Sequence, residues 1–294
     1  MIRRLLAALA ASVVVLPFVQ AQAPKQSAEP SGPFETTSRL GRKLYGLPDT
    51  DGAIQAAKRR LAADPKSVLR CLNLSQAQAA KRQYWEAIAT CTEGLKYAPR
   101  SASLYLERGH RELGLRDFQR GLADLSRAVE LDPKSLEAQY HLGMAHYFLR
   151  EFGPAAQQFQ GALSLAKTND SIIDCSNWLY VSLRRDGQTE AAAKVLTRIT
   201  PRMRNHAPHL YSYLRLLRFY QGVITEKQVL VRKPSNPNDI ESELSFDTVT
   251  YGVGNWHLYT DTDPAQALAL FRCVVTGNAW NAWGFIGSEL ELSQ

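Results

Sequence analysis

Six histidines and four cysteines are the side chains in this 294-residue sequence best suited to metal binding or nucleophilic attack. Their spacing supports neither. His141 and His146 are five residues apart, which turns them to different faces of a helix. His206 and His209 flank Ala-Pro in an expected loop, a poor frame for two metal ligands. There is no HExxH, no GxSxG and no phosphate-cradling GxxxxGK[ST]. No CxxC pair exists, which argues against a zinc knuckle or a thioredoxin-like site. Glu86, Glu107 and Glu130 are scattered as carboxylates on solvated helix faces are, not paired for acid–base work. The reading is therefore non-enzymatic, with no catalytic residue, no metal and no cofactor.

The elements that would carry these residues repeat. Pro65, Pro99 and Pro133 lie 34 residues apart. The same step relates Tyr84, Phe118 and Phe152; Ala53, Ala87, Gly121 and Ala155; and Leu61, Leu95, Val129 and Leu163. A period of this length marks stacked two-helix modules. Apolar residues recur at three- and four-residue spacing within each half-period, the mark of a one-faced helix. Small residues such as Gly143 allow two helices to approach closely, and the prolines stop the second helix of each module. One such hairpin cannot cover its own apolar face, but a stack can.

Composition sets further bounds. Hydrophobic residues make up 45 % and charged residues 21 %, which fits a folded chain with a sizeable core. The formal charge is +7, yet the basic residues are interspersed with acids, which argues against nucleic-acid binding. Arg3 and Arg4 followed by an apolar run from Leu5 to Val19 match a secretory signal peptide over 1–21, with cleavage after Ala21. That run is shorter than the ~20 residues a membrane-spanning helix requires. The mature chain is expected to be exported, periplasmic or secreted, at most peripheral to a membrane and without an integral segment. Residues 22–33 read as a flexible leader. Cys71 and Cys91 fall at core positions and read as buried thiols at least as readily as a disulfide; the state of Cys175 and Cys273 stays open.

Tyr105, Gly109, Phe118, Ala128 and Pro133, followed by Leu142, Gly143, Ala155, Phe159 and Ala162, resemble the signature of the tetratricopeptide repeat (TPR) family. The resemblance implies an all-α, right-handed superhelix of hairpins, an α-solenoid. Full units run over 68–101, 102–135 and 136–169. A degenerate first unit spans 34–67, with a first helix shortened by Gly46, Pro48 and Gly52. Divergent TPR-like hairpins and a capping helix are expected over 170–294. The family also implies a concave binding groove lined by the first helix of each unit. Here that assigns Leu69, Leu72 and Gln76, then Leu106, His110 and Leu113, then Tyr140, Met144, Tyr147 and Phe148. The Lys/Arg/Asn set with which some members grip a peptide carboxylate is missing. A filled groove, covered by the chain itself or by a twin subunit, is the competing expectation.

A looser similarity, to the NlpI kind of envelope TPR lipoprotein, rests on four stretches. These are Tyr105–Gly109, Trp178-Leu179-Tyr180, Phe219–Gly222 with Ile224 and Thr225, and Ala267–Phe271. It implies a homodimeric adaptor that docks envelope proteases and cell-wall hydrolases. The first cysteine is Cys71, so the family's lipid-attachment cysteine is absent. The expectation is a scaffold binding other envelope proteins or peptides. The alternatives are a subunit of an outer-membrane or pilus assembly machine and, in a different class, a hydrolase with an unrecognised site in 170–294.

Overall fold

The computed structural model describes residues 32–205, 211–236 and 239–294. The expected signal peptide, most of the leader, and His206 and His209 lie outside the described residues.

Three consecutive hairpins carry the 34-residue period. They are α2 (Val68–Ala80) with α3 (Tyr84–Tyr97), α4 (Ala102–Gly114) with α5 (Phe118–Leu131), and α6 (Leu136–Phe148) with α7 (Phe152–Leu165). Each first helix starts on a serine just after the repeated proline. Ser67, Ser101 and Ser135 accept a hydrogen bond from the backbone N–H of Arg70, Leu104 and Ala138, satisfying a donor that the first turn would leave free. Within each unit the helices touch at small residues. A Cβ on Gly143 would lie 2.9 Å from the Phe159 ring, so only glycine fits there.

The turn between the two helices of each unit is unusual. Arg82, Arg116 and Arg150 occupy the same repeat position, and all three are left-handed, with φ of 54°, 69° and 64°. Glycine normally ends a helix in this way. A side chain here costs about 1–2 kcal/mol, so three arginines in one column call for a compensating interaction.

The first unit departs from expectation. Residues 34–52 contain no helix. Instead β1 (Phe34–Thr37) pairs antiparallel with β2 (Lys43–Tyr45), and only α1 (Ala53–Ala62) follows as a helix. Both strands are short, and their inward positions are Glu35 and Leu44, at 2 % and 1 % exposure. The Glu35 carboxylate accepts the N–H groups of Tyr84 (2.8 Å) and Trp85 (3.1 Å), capping α3 from outside its own sequence.

After α7 the modules become irregular: α8 (Asn169–Arg185), α9 (Thr189–Leu196), α10 (Tyr211–Tyr220), α11 (Glu226–Val229), α12 (Ile240–Thr260), α13 (Pro264–Val275) and α14 (Trp283–Leu292). α11 is a single turn, whereas α12 is the longest helix of the described residues. One continuous core runs from Leu113 through Phe159, Trp178, Leu214 and Tyr251 to Ile286. A second joins Leu44 of the hairpin, Tyr84 and Leu115 of the repeats, and Phe246, Trp280 and Phe285 of the C-terminal region. Arg42 Nη2 donates to Asn278 Oδ1 (3.1 Å) and Trp280 Nε1 donates to the Tyr45 carbonyl (2.9 Å). The two ends of the described chain are thus tied to each other, and the solenoid closes on itself.

Candidate functional site

Closure decides which of the expected groove residues remain available. Leu113, Met144, Tyr147 and Phe148 are at most 3 % exposed, and Tyr140 is 7 % exposed. These five positions form core, not surface. The Tyr147 hydroxyl lies 2.8 Å from that of Tyr251 and accepts the Asn255 amide at 2.6 Å, both from α12. Tyr140 donates to Asp174 of α8 (2.9 Å). Trp283 of α14 stands against Phe148, with ring centroids 5.6 Å apart. The physical reason is plain: the third unit has the most apolar first helix, and the chain buries it under its own later helices, as the competing expectation held.

The first two full units keep an opening. A cleft of ≈ 430 Å³ runs between α2 and α4 on one side and α10, α12 and the start of α14 on the other. Gln76, His110 and Arg111 face Tyr213, Asn281 and Trp283 across it. Of the sequence-assigned groove residues, the structure brings Gln76 and His110 together here. Leu69, about two turns before Gln76 on α2, is 68 % exposed. Leu72 and Leu106 are half-buried against core clusters beside it.

The cleft is largely neutral. Arg111 is held by a bidentate pair with Glu107, Nε–Oε1 at 3.0 Å and Nη2–Oε2 at 3.1 Å, and Ser75 Oγ donates to the same carboxylate. Burial, with Arg111 next in effect, pushes the His110 pKa well down, so the ring is uncharged at neutral pH. The His110 and His141 rings lie with centroids 4.1 Å apart, tilted by 40°. Asn281 Oδ1 is buried and accepts no hydrogen bond from the described residues. Aromatic walls with a few amide and imidazole groups suit a peptide segment. The volume is too small for a helix, which is ≈ 10–12 Å across, but takes an extended stretch.

No family model matches the sequence. Over 94 residues it is 27 % identical to the Hsp70-Hsp90 organizing protein of Triticum aestivum, covering 32 % of this chain and 16 % of that protein. Over 118 residues it is 25 % identical to human Tetratricopeptide repeat protein 12, covering 40 % and 17 %. The chain thus spans about a sixth of the length of these curated relatives. The crystal structure of a tetratricopeptide repeat protein from Parabacteroides merdae matches 83 % of this chain and 92 % of that one, with a TM-score of 0.51 at 18 % identity. The fold is a TPR solenoid. Similarity at this level establishes the architecture, and the relatives' own partners are not transferred by it.

A larger depression of ≈ 780 Å³ lies between α7 and α9, the second helices of two TPR hairpins. Its floor residues Leu179 and Leu183 are buried, and it lies on the second helices of the hairpins rather than on the face formed by the first helices. Among the described residues the sequence reading also missed the column Arg82–Arg116–Arg150. Their 34-residue spacing was the available signal, but isolated arginines read as solvated surface.

Buried acids make the TPR stack pH-sensitive. Desolvation raises Glu112 and Asp247 to about 8, and Glu35 and Asp174 to about 7. Such groups hold protons in the folded state that the unfolded chain releases above its ordinary carboxylate range. Folding stability therefore falls as pH rises through the window from about 4 to 8. His110 and His141, the latter lowered to about 4 by burial, act oppositely below their ordinary value near 6.5. The carboxylates act alone above 6.5. Thermal melts are expected to show Tm rising as pH is lowered from 8.5 to 6.5, then levelling or turning over. A flat profile between 6.5 and 8.5 would contradict this burial pattern.

Proposed function

We propose that this chain is a non-catalytic adaptor of the bacterial cell envelope that binds other proteins through the cleft between α2, α4 and the C-terminal helices. The single observation that carries the reading is this cleft, which remains open, aromatic and largely neutral while the groove of the third unit is filled. A repeat solenoid offers curved surface rather than a reactive centre. Gln76 and His110 supply directional hydrogen bonds, and exposed Leu69 extends the contact along α2. The partner segment is extended and enters as a single strand. Export is supported by the Arg3-Arg4 start and the Leu5–Val19 run. Among the described residues no helix is long and apolar enough to cross a membrane. The resemblance of the sequence to envelope TPR lipoproteins supports proteases or cell-wall hydrolases as the partners.

Capture from envelope extract on immobilised full-length protein, quantified by mass spectrometry, tests the site. Leu69→Glu combined with Gln76→Glu is expected to reduce specific capture about tenfold, the effect of losing ~1.4 kcal/mol of binding. Circular dichroism and Tm should barely change, because both side chains are exposed. Lys194→Glu with Arg198→Glu, in the outer depression, should leave capture intact. Capture that survives the first pair and fails with the second would move the site to the outer face. N-terminal sequencing of protein recovered from the periplasm should begin at Gln22; retention of the intact N-terminus in the cytoplasm would remove the envelope assignment.

A further inference from the structure

The left-handed arginines find their compensation at the C-terminal end of the chain, and in doing so they set the polarity of the cleft. Arg150 Nη1 reaches Glu291 Oε2 (3.2 Å). Arg116 pairs with Glu289 and donates through Nη2 to the Trp280 carbonyl (2.8 Å). Arg82 Nη1 donates to the Asn278 carbonyl (2.8 Å), and the Ala282 N–H donates to the Ala279 carbonyl (2.8 Å). Three successive carbonyls of the loop that brings Asn281 and Trp283 to the cleft are therefore already bonded. Hydroxyls on the facing helices are engaged too. Thr248 donates to the Leu244 carbonyl (2.8 Å), and the Tyr213 hydroxyl accepts from Trp178 Nε1 (3.3 Å). Donors fare differently: the Gln76 amide and the Trp283 indole N–H have no hydrogen-bond partner among the described residues. Of the acceptors that remain, Asn281 Oδ1 is buried, and Gln76 and His110 each carry a donor beside the acceptor. Arg111 is committed to Glu107. The cleft is thus rich in donors, poor in acceptors and without free charge. Where its walls meet, the His110 and Trp283 rings stand 5.3 Å apart.

An extended peptide brings one N–H and one carbonyl per residue. The helices that wall this cleft spend their own backbone groups internally, and no strand edge faces it to receive a peptide's N–H groups. Each N–H buried there without an acceptor weakens binding. Proline has no N–H, and proline-rich segments adopt the extended polyproline II helix, which makes no internal hydrogen bonds. We propose that the cleft selects a proline-rich segment without charged side chains. Its carbonyls accept from Gln76 and Trp283, and its pyrrolidine rings pack on the His110 and Trp283 rings. The complementarity is electrostatic, of donor to acceptor rather than of net charge. The inference rests on the adaptor reading, whose site it shares, and adds the chemistry of the partner.

The probe is fluorescein-labelled decaproline, titrated by anisotropy into full-length protein beside a neutral decapeptide of alternating alanine and glutamine. Decaproline is expected to bind at least about tenfold more tightly than the alanine–glutamine peptide. Gln76→Glu, which replaces a donor by an acceptor on an exposed position, should weaken decaproline about tenfold without weakening the other peptide. Trp283→Phe keeps a ring and removes the indole N–H, for an expected loss of about fivefold. Equal binding of the two peptides by wild type would overturn the proposal, as would decaproline affinity that Gln76→Glu leaves unchanged. Should Trp283→Phe unfold, Gln76→Glu decides alone. No binding of decaproline, with envelope capture still lost in Leu69→Glu/Gln76→Glu, sinks this proposal and spares the adaptor reading. Decaproline binding that depends on Gln76, with capture indifferent to that pair, does the reverse.

Discussion

Replacing Arg116 with alanine is expected to cost about 3–5 kcal/mol of folding stability, because it strands a buried carboxylate. The side chains of Arg116 and Glu289 are 5 % and 1 % exposed, and one Glu289 oxygen already has no partner. Glu289→Ala should cost a similar amount, for it leaves the guanidinium without its counter-charge. The combined change Arg116→Met/Glu289→Leu should recover part of the loss and settle at about 1–3 kcal/mol. The residue of the cost comes from the Gly114 and Trp280 carbonyls, which Arg116 also satisfies. Urea denaturation of the three variants checks this. Single and double variants with equal losses would mean that the charge pair is not the coupling between repeats and C-terminal helices.

Tyr147→Ala carries the second large effect. Had the groove of the third unit been open, this change would have weakened partner binding and spared the fold. Since Tyr147 is core, it should instead cost about 3–5 kcal/mol. The ring packs edge-on against Trp178 (5.1 Å) and Phe152 (5.3 Å), and its hydroxyl ties α6 to α12. Tyr147→Phe keeps the ring and strands the Asn255 amide, for an expected cost of about 1–3 kcal/mol. Thermal and urea denaturation distinguish the two outcomes: a stable Tyr147→Ala protein would mean that α12 does not occupy the groove.

The repeats were legible because each module answers to local rules. A serine cap, a corner aromatic and a small contact residue recur every 34 residues, and each can be recognised within its own hairpin. What covers the apolar face of α6 is a non-local matter. Tyr140, Met144 and Tyr147 display the same pattern whether a partner or the chain's own α12 lies against them, so the sequence offered both readings and the fold chose burial. The N-terminal hairpin was missed for another reason. Extending the repeat backwards carried the helical register into residues 34–45, whose strands Phe-Glu-Thr-Thr and Lys-Leu-Tyr are too short to display a period of their own. The arginine column was visible at Arg82, Arg116 and Arg150, but its meaning depends on Glu289 and Glu291, more than 140 residues away. Gln76 and His110, by contrast, were assigned through the family resemblance, and they line one cleft.

Hydroxyl-radical footprinting of the full-length protein tests the central claim, a repeat stack closed by its own C-terminal helices with one cleft left open. Protection of Met144, Tyr147 and Phe148 together with ready labelling of Leu69 is the expected result. Labelling of Met144 and Tyr147 as strong as that of Leu69 would contradict it, for the concave face of the third unit would then be bare.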